Sequence, residues 1–280
     1  MTSSVVLLPP VIMCTTPPLP PPMLLPSINS PVQFIKKDVC VPSVDPDVCQ
    51  WASRENPELR ESCAKYNICQ SEAPFKYHYK HFESILQIGP TCGLVALSMS
   101  VNGDVSAEEL LNISKIEGFT RNGEMFSCKN MIKLAEKTLS LAELDDVKCS
   151  LKSEGLFSSE TIERLLGGAV LLVPYDADFN HAPCLRKGHT AHWAIICGVI
   201  VIDEPINSYE TNPENIYVFC KHGKSKYLAI WNLYELAKSN NNLWEFSPKK
   251  DADGLVYVLP DEGIGGENGL RNKFLIFEGL

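Results

Sequence analysis

The apolar positions of this chain change period near its middle. Between residues 92 and 166 they recur every three to four positions, the spacing of helices with one buried face. The run Gly93-Leu-Val-Ala-Leu-Ser-Met-Ser100 predicts a helix that starts near Cys92. Ser106 followed by Glu109 is a capping box and opens a second helix to about Lys115. A third follows Ser127, with Met131, Leu134 and Ala135 on one face, and a short one over Glu160–Leu166 stops at Gly167-Gly168. From residue 169 the apolar residues become contiguous. Ala169–Tyr175 and Ala191–Ile202 read as buried strands, and Ile216–Cys220 and Lys226–Trp231 read as a hairpin around His222-Gly223-Lys224. Leu233–Lys238 makes one or two helical turns, and Leu255–Leu259 and Phe274–Phe277 complete a mostly antiparallel sheet. Helices first and strands afterwards predict an α+β domain over residues 76–280.

The N-terminal part follows neither period. Residues 1–31 carry no charge and hold nine of the 20 prolines, so they are expected to be a disordered tail. Pro17, Pro18, Pro20, Pro21 and Pro22 favour polyproline II, which suits an aromatic-lined groove of the profilin, SH3 or WW kind. Residues 32–75 are mixed in charge, and a short helix around Glu58–Tyr66 is expected to pack this extension on the main domain. Lys+Arg of 25 against Asp+Glu of 34 gives a net charge of −9, which argues against a nucleic-acid partner. No basic leader precedes an apolar run and no stretch is long enough to span a bilayer, so the expectation is a cytoplasmic protein; a monomer is expected separately. Eleven scattered cysteines without C-x-x-C spacing read as free thiols.

The chemistry concentrates in Gln87-Ile-Gly-Pro-Thr-Cys92-Gly93. A thiol at a helix N-terminus feels the positive end of the dipole, which favours the thiolate. Free N–H groups of the first helical turn, with the Gln87 amide nearby, suit an oxyanion. This is half of a cysteine-protease site and requires a histidine base. His192 opens the second strand, on a rigid platform, whereas His189 points to the opposite face if the segment is extended. A papain-type site also needs Asn or Asp to hold the imidazole. Asn232, ending the hairpin, is preferred over Asp203 at the far end of the histidine strand. Asp176, Asp178, His181, Cys184, His189 and His192 are ligand types for zinc within 17 residues, but no pair has helical i, i+4 spacing. Asp176, Asp178 and His181 therefore read as a solvated loop beside the cleft, and no metal or cofactor is assigned.

With these residues assembled, the chain resembles the actin maturation protease family of papain-like, C39-like cysteine peptidases. The resemblance rests on Gln87-x-Gly89-Pro90-Thr91-Cys92-Gly93-Leu94, on Gly188-His189-x-Ala191-His192-Trp193-Ala194, on Ser247-Pro248-Lys249-Lys250 and on the proline-rich N-terminus. It implies a papain-like fold in which the helical part carries Cys92 and the sheet carries His192. It implies an aminopeptidase that removes an N-acetylated Met or Cys from immature actin, with Cys92 as nucleophile, His192 as base, Gln87 as oxyanion donor and Asn232 as third member. It also implies profilin binding through the proline tail. Arg186 and Lys187, just before the histidine block, and Trp193 within it are the candidates for substrate contact, and Lys221, Lys224 and Lys226 could add positive charge against an acidic actin terminus. Three other readings compete: a deubiquitinase-like isopeptidase, a Cys-His acyltransferase and a non-catalytic scaffold joining profilin to actin.

Overall fold

The structure, a computed structural model, describes residues 50–53, 56–68 and 73–280. The proline-rich tail lies outside the described residues, as do residues 32–49 of the extension. In chain order the elements are α1 (Gln50–Ser53), α2 (Pro57–Lys65), β1 (Lys76–Tyr79), α3 (Cys92–Ser100), α4 (Ala107–Ile116), α5 (Cys128–Leu141), β2 (Lys148–Ser153), α6 (Ser159–Leu166), β3 (Val170–Asp176), β4 (Ala191–Val201), β5 (Ile216–Lys221), β6 (Ala229–Asn232), α7 (Leu233–Asn241), α8 (Pro248–Asp251) and β7 (Lys273–Glu278). The fold is α+β, as the change of period predicts, with one sheet in the order β2-β7-β3-β4-β5-β6. Its pairs are antiparallel.

The central strands read as unbroken apolar runs because both of their faces are covered. Trp193, Ile195 and Cys197 face a core shared with α2, α3, α4 and α5, while Ala194 and Ile196 face a second core shared with α6 and α7. One edge of β4 serves two partners in turn. β3 pairs with Ala191–Ile196 and β1 pairs with Gly198–Val201. Gly198 allows the changeover, because a Cβ there would lie 2.2 Å from the His78 carbonyl oxygen. The helix starts are capped by serines. Ser106, Ser127 and Ser158 each accept a backbone N–H three residues on, at 3.1–3.2 Å.

Three expectations are corrected. β1 and β2 are strands that no apolar run announced, since Lys76–Tyr79 and Lys148–Ser153 are polar and only half-buried. Leu255–Leu259 is not a strand; Leu255 and Val256 are exposed, and no neighbouring strand among the described residues pairs with them. The second hairpin strand starts at Ala229 rather than Lys226.

Candidate active site

Cys92 is the first residue of α3 and is 8% exposed. The turn ahead of it is tied by its own side chains. Thr91 Oγ1 donates to the Ile88 carbonyl at 3.0 Å and makes no cap bond to α3, so it leaves the first-turn N–H groups to other acceptors. The helix reaches β4 closely because residue 93 is glycine; a Cβ there would lie 2.7 Å from Met131 Cε and 3.1 Å from the Trp193 ring. That approach brings the Trp193 and Gly93 backbone N–H groups to the Cys92 sulfur, where both favour its thiolate form. Trp193 is pinned in turn by its indole N–H, which donates to the Met125 carbonyl at 2.9 Å.

Cys92, His192, Gln87 and Trp193 line one cavity of about 110 Å³, together with Pro90, Glu124, Met125, Phe126, Ala191, Lys250 and Leu270. His189 is not among its walls; its ring bonds Glu245 at 3.2 Å. The Gln87 Nε2 donates to the Gly89 carbonyl at 2.7 Å, and its Oε1 is buried without a partner. The Gln87 backbone N–H donates to the Gly223 carbonyl, which fixes the loop against the turn after β5.

Asn232 does not complete this group. β5 lies between β4 and β6, and the register sets Asn232 opposite Tyr217, which pairs with Ile200, eight residues along β4 from His192. That is roughly 25 Å of strand. The Asn232 side chain caps α7, accepting the Glu235 N–H at 3.1 Å and donating to the Pro213 carbonyl at 2.7 Å. Asp203, just past the end of β4, lies at that same far end. What surrounds the His192 ring instead is aromatic: Tyr175 edge-on at 5.7 Å, His222 edge-on at 5.9 Å and His181 stacked at 5.7 Å. His222 is backed by the Trp231 ring, near-parallel to it at 5.9 Å. Among the described residues, no three His, Cys, Asp or Glu side chains form a group that could hold a metal ion.

The loop between β3 and β4, which delivers His192, is organised by Asp176. This residue is fully buried, not part of a solvated loop. Its carboxylate accepts the N–H groups of Arg186, Gly188 and Thr190 and the Thr190 hydroxyl. Lys187 sits 3.6 Å from Glu245, and the Arg186 side chain is exposed. Lys221 is not a surface charge; it is buried on Glu58 of α2.

Burial sets the resting protonation of the site. It pushes the Cys92 thiol up, against the smaller lowering effects of the Trp193 N–H and Lys250. It brings His192 down to about 3, with His222, His181, Lys224 and Lys250 adding to the shift, and His222 down to about 4. Both shifts favour the uncharged forms, a thiol and a neutral imidazole, in the unliganded cleft, against the pull of the α3 dipole toward the thiolate. The same shifts carry a stability consequence. Both rings are held neutral in the fold, so their contribution is complete above the ordinary histidine value of 6.5 and is lost as pH falls from there towards 4 and 3. Each group is expected to cost about 2 kcal/mol between pH 7 and pH 5. In urea unfolding at the two pH values, His222→Phe, which keeps the stack on Trp231, should reduce the loss by about that amount; an unchanged loss would refute the assignment.

Residues 82–200 match the family described as "Actin maturation protease-like, C-terminal domain". A protein of Drosophila melanogaster named actin maturation protease is 40% identical over 238 residues, 85% of this chain and 84% of that protein. The chain belongs to the actin maturation protease family. The mouse and human proteins of the same name are 37% and 35% identical, over 69% and 65% of this chain and 61% and 60% of their own lengths. The segment matched by the family model holds Cys92, Glu124 and His192.

Sequence reasoning gave no role to His222, which stands against His192, or to Glu124 and Lys250 on the cavity wall, and it set His181 in a solvated loop beside the cleft rather than stacked on His192. Lys250 closes the Ser-Pro-Lys-Lys block, and His222 follows directly on a predicted strand, so each had a local signal. Glu124 had none.

Proposed function

We propose that this chain is a cysteine-type aminopeptidase with a papain-like site that removes the N-acetylated first residue, Met or Cys, from actin. The observation that carries the reading is that Cys92, at a helix N-terminus, and His192, at a strand start, line one cleft in a chain whose relatives are named actin maturation proteases. Pro90, Met125, Phe126, Trp193 and Leu270 give the cleft apolar walls that suit a Met side chain.

The chemistry follows from the neutral resting pair. As Cys92 Sγ attacks the carbonyl carbon of the first residue, its proton passes to His192, so charge develops only during reaction. The oxyanion is met by the Cys92 backbone N–H and by the second N–H of Gln87, the first being spent on Gly89. His192 returns the proton to the departing amine of the second residue. Water, losing its proton to His192, then cleaves the thioester and releases the N-acetyl amino acid. Arg186 and Lys224, both exposed, stand ready for the acidic residues that follow the scissile bond. The proline tail would bring profilin-bound actin to this site.

The test is mass spectrometry of an N-acetylated actin N-terminal peptide, and of intact immature actin, incubated with the protein. Loss of one acetylated residue is expected. Cleavage of ubiquitin amides without action on either actin substrate would favour the isopeptidase reading instead.

A further inference from the structure

The Cys-His chemistry leaves one feature of the cleft unused. Glu124 and Lys250 both line it, their side chains 3.5 Å apart. Glu124 is 7% exposed, and its Oε2 is buried with no hydrogen-bond partner. A buried carboxylate oxygen left unpaired is costly, which marks it as a group waiting for a donor. Lys250 is held over the rings of Phe126 at 5.1 Å and Tyr257 at 5.6 Å, so its ammonium has a fixed position. The two charges act on the Cys92 thiol in opposite directions, Lys250 lowering it and Glu124 raising it. As a pair they do little to activate the nucleophile. They present an acceptor and a donor side by side on a cleft otherwise walled largely by apolar groups.

We infer that Glu124 and Lys250 are the specificity-determining pair that reads the acylated amino group of the substrate's first residue. An acetamide offers one N–H and one C=O. The Glu124 carboxylate accepts the N–H and the Lys250 ammonium donates to the C=O. A free α-ammonium would meet Glu124 favourably but would be repelled by Lys250, so the neutral pair selects a blocked terminus over a free one. The inference rests on the reading of an N-acetylated substrate given above.

The experiment compares kcat/KM for three peptides of one actin-like sequence. The first carries an acetamido group on its leading Met. In the second an acetoxy group replaces it, which removes the N–H without changing shape. The third has a free amine. The wild-type protein is expected to favour the acetamido over the acetoxy peptide by about 30-fold, the size of a hydrogen bond to a charged group. Glu124→Ala should shrink that gap below about threefold, and Glu124→Gln, which keeps an acceptor oxygen, should retain part of it. Lys250→Met should narrow the preference for acetamido over free amine by about tenfold. No acetoxy penalty in the wild type, or a full penalty persisting in Glu124→Ala, overturns the pair while leaving the peptidase reading intact. The wild-type comparison stands even if Glu124→Ala fails to fold. Failure of the wild type to cleave the acetamido peptide and intact actin overturns the peptidase reading and this inference with it.

Discussion

Cys92→Ala is expected to lower kcat/KM for an N-acetylated actin terminus by at least about 10⁴-fold, because the attacking atom is gone and, among the described residues, no other thiol lines the cleft. His192→Ala should fall to a similar floor. In the proposed mechanism nucleophile and base act as a unit, so the double variant should be no worse than either single one. The residual rate in all three would report what the first-turn N–H groups and the cleft walls contribute by themselves. Folding is a separate matter. Cys92 is small and sits at the end of α3, so the alanine variant should unfold within a few degrees of wild type, by the usual cost of a small buried truncation. A Cys92→Ala protein that folds and retains a tenth of the activity would remove the thiol from the mechanism.

How much of this was legible beforehand depends on how local the information is. α3, α4, α5 and α6 were readable because each follows a local start signal, a serine cap or the Gly-Pro turn before Cys92, and continues in an apolar pattern of helical length. β3 and β4 were readable because a strand covered on both faces has no polar alternative. β1 was not, because its place depends on a bare backbone at Gly198, which pairs with Tyr79 from far along the chain, and not on its own apolar content. Leu255–Leu259 failed the opposite way, with apolar content but no partner strand. The site divides similarly. Cys92 and His192 each sit at an element start, with Gln87 in the turn ahead of the first, and all three were nominated from the chain alone. Asn232 was chosen on the idea that a neighbouring strand brings it close, but its position depends on the order and register of three strands, which no local pattern encodes. Glu124 and Lys250 meet across 126 residues, and nothing near either announces the other.

The second large effect concerns stability. Glu58→Ala is expected to destabilise the protein by about 3–5 kcal/mol, because it strands a buried charge. The Lys221 side chain is 2% exposed, and its ammonium bonds Glu58 Oε1 at 2.9 Å, Glu58 Oε2 at 3.2 Å and Ser84 Oγ at 3.1 Å. Glu58 also accepts the Tyr79 hydroxyl at 3.0 Å and lies 3.3 Å from His81. The pair joins α2 to the end of β5, and α2 is further held by buried Leu59 and Cys63 and by the Ser62 hydroxyl, which donates to the Leu228 carbonyl at 3.1 Å. Loss of the carboxylate leaves Lys221 no anion of equal reach among the described residues, so the fold must either admit water or release α2. Either response disturbs the residue that follows, His222, whose ring stands against His192. Activity should therefore fall along with stability, although Glu58 is not a wall of the cleft. Glu58→Ala with Lys221→Met should recover most of the stability, because a buried pair replaced by apolar groups is often neutral or better. Urea unfolding of the two single variants and the double variant measures the coupling. If Glu58→Ala costs less than about 1 kcal/mol, the range of an exposed pair, then Lys221 finds water or another partner and α2 is not clamped by this charge.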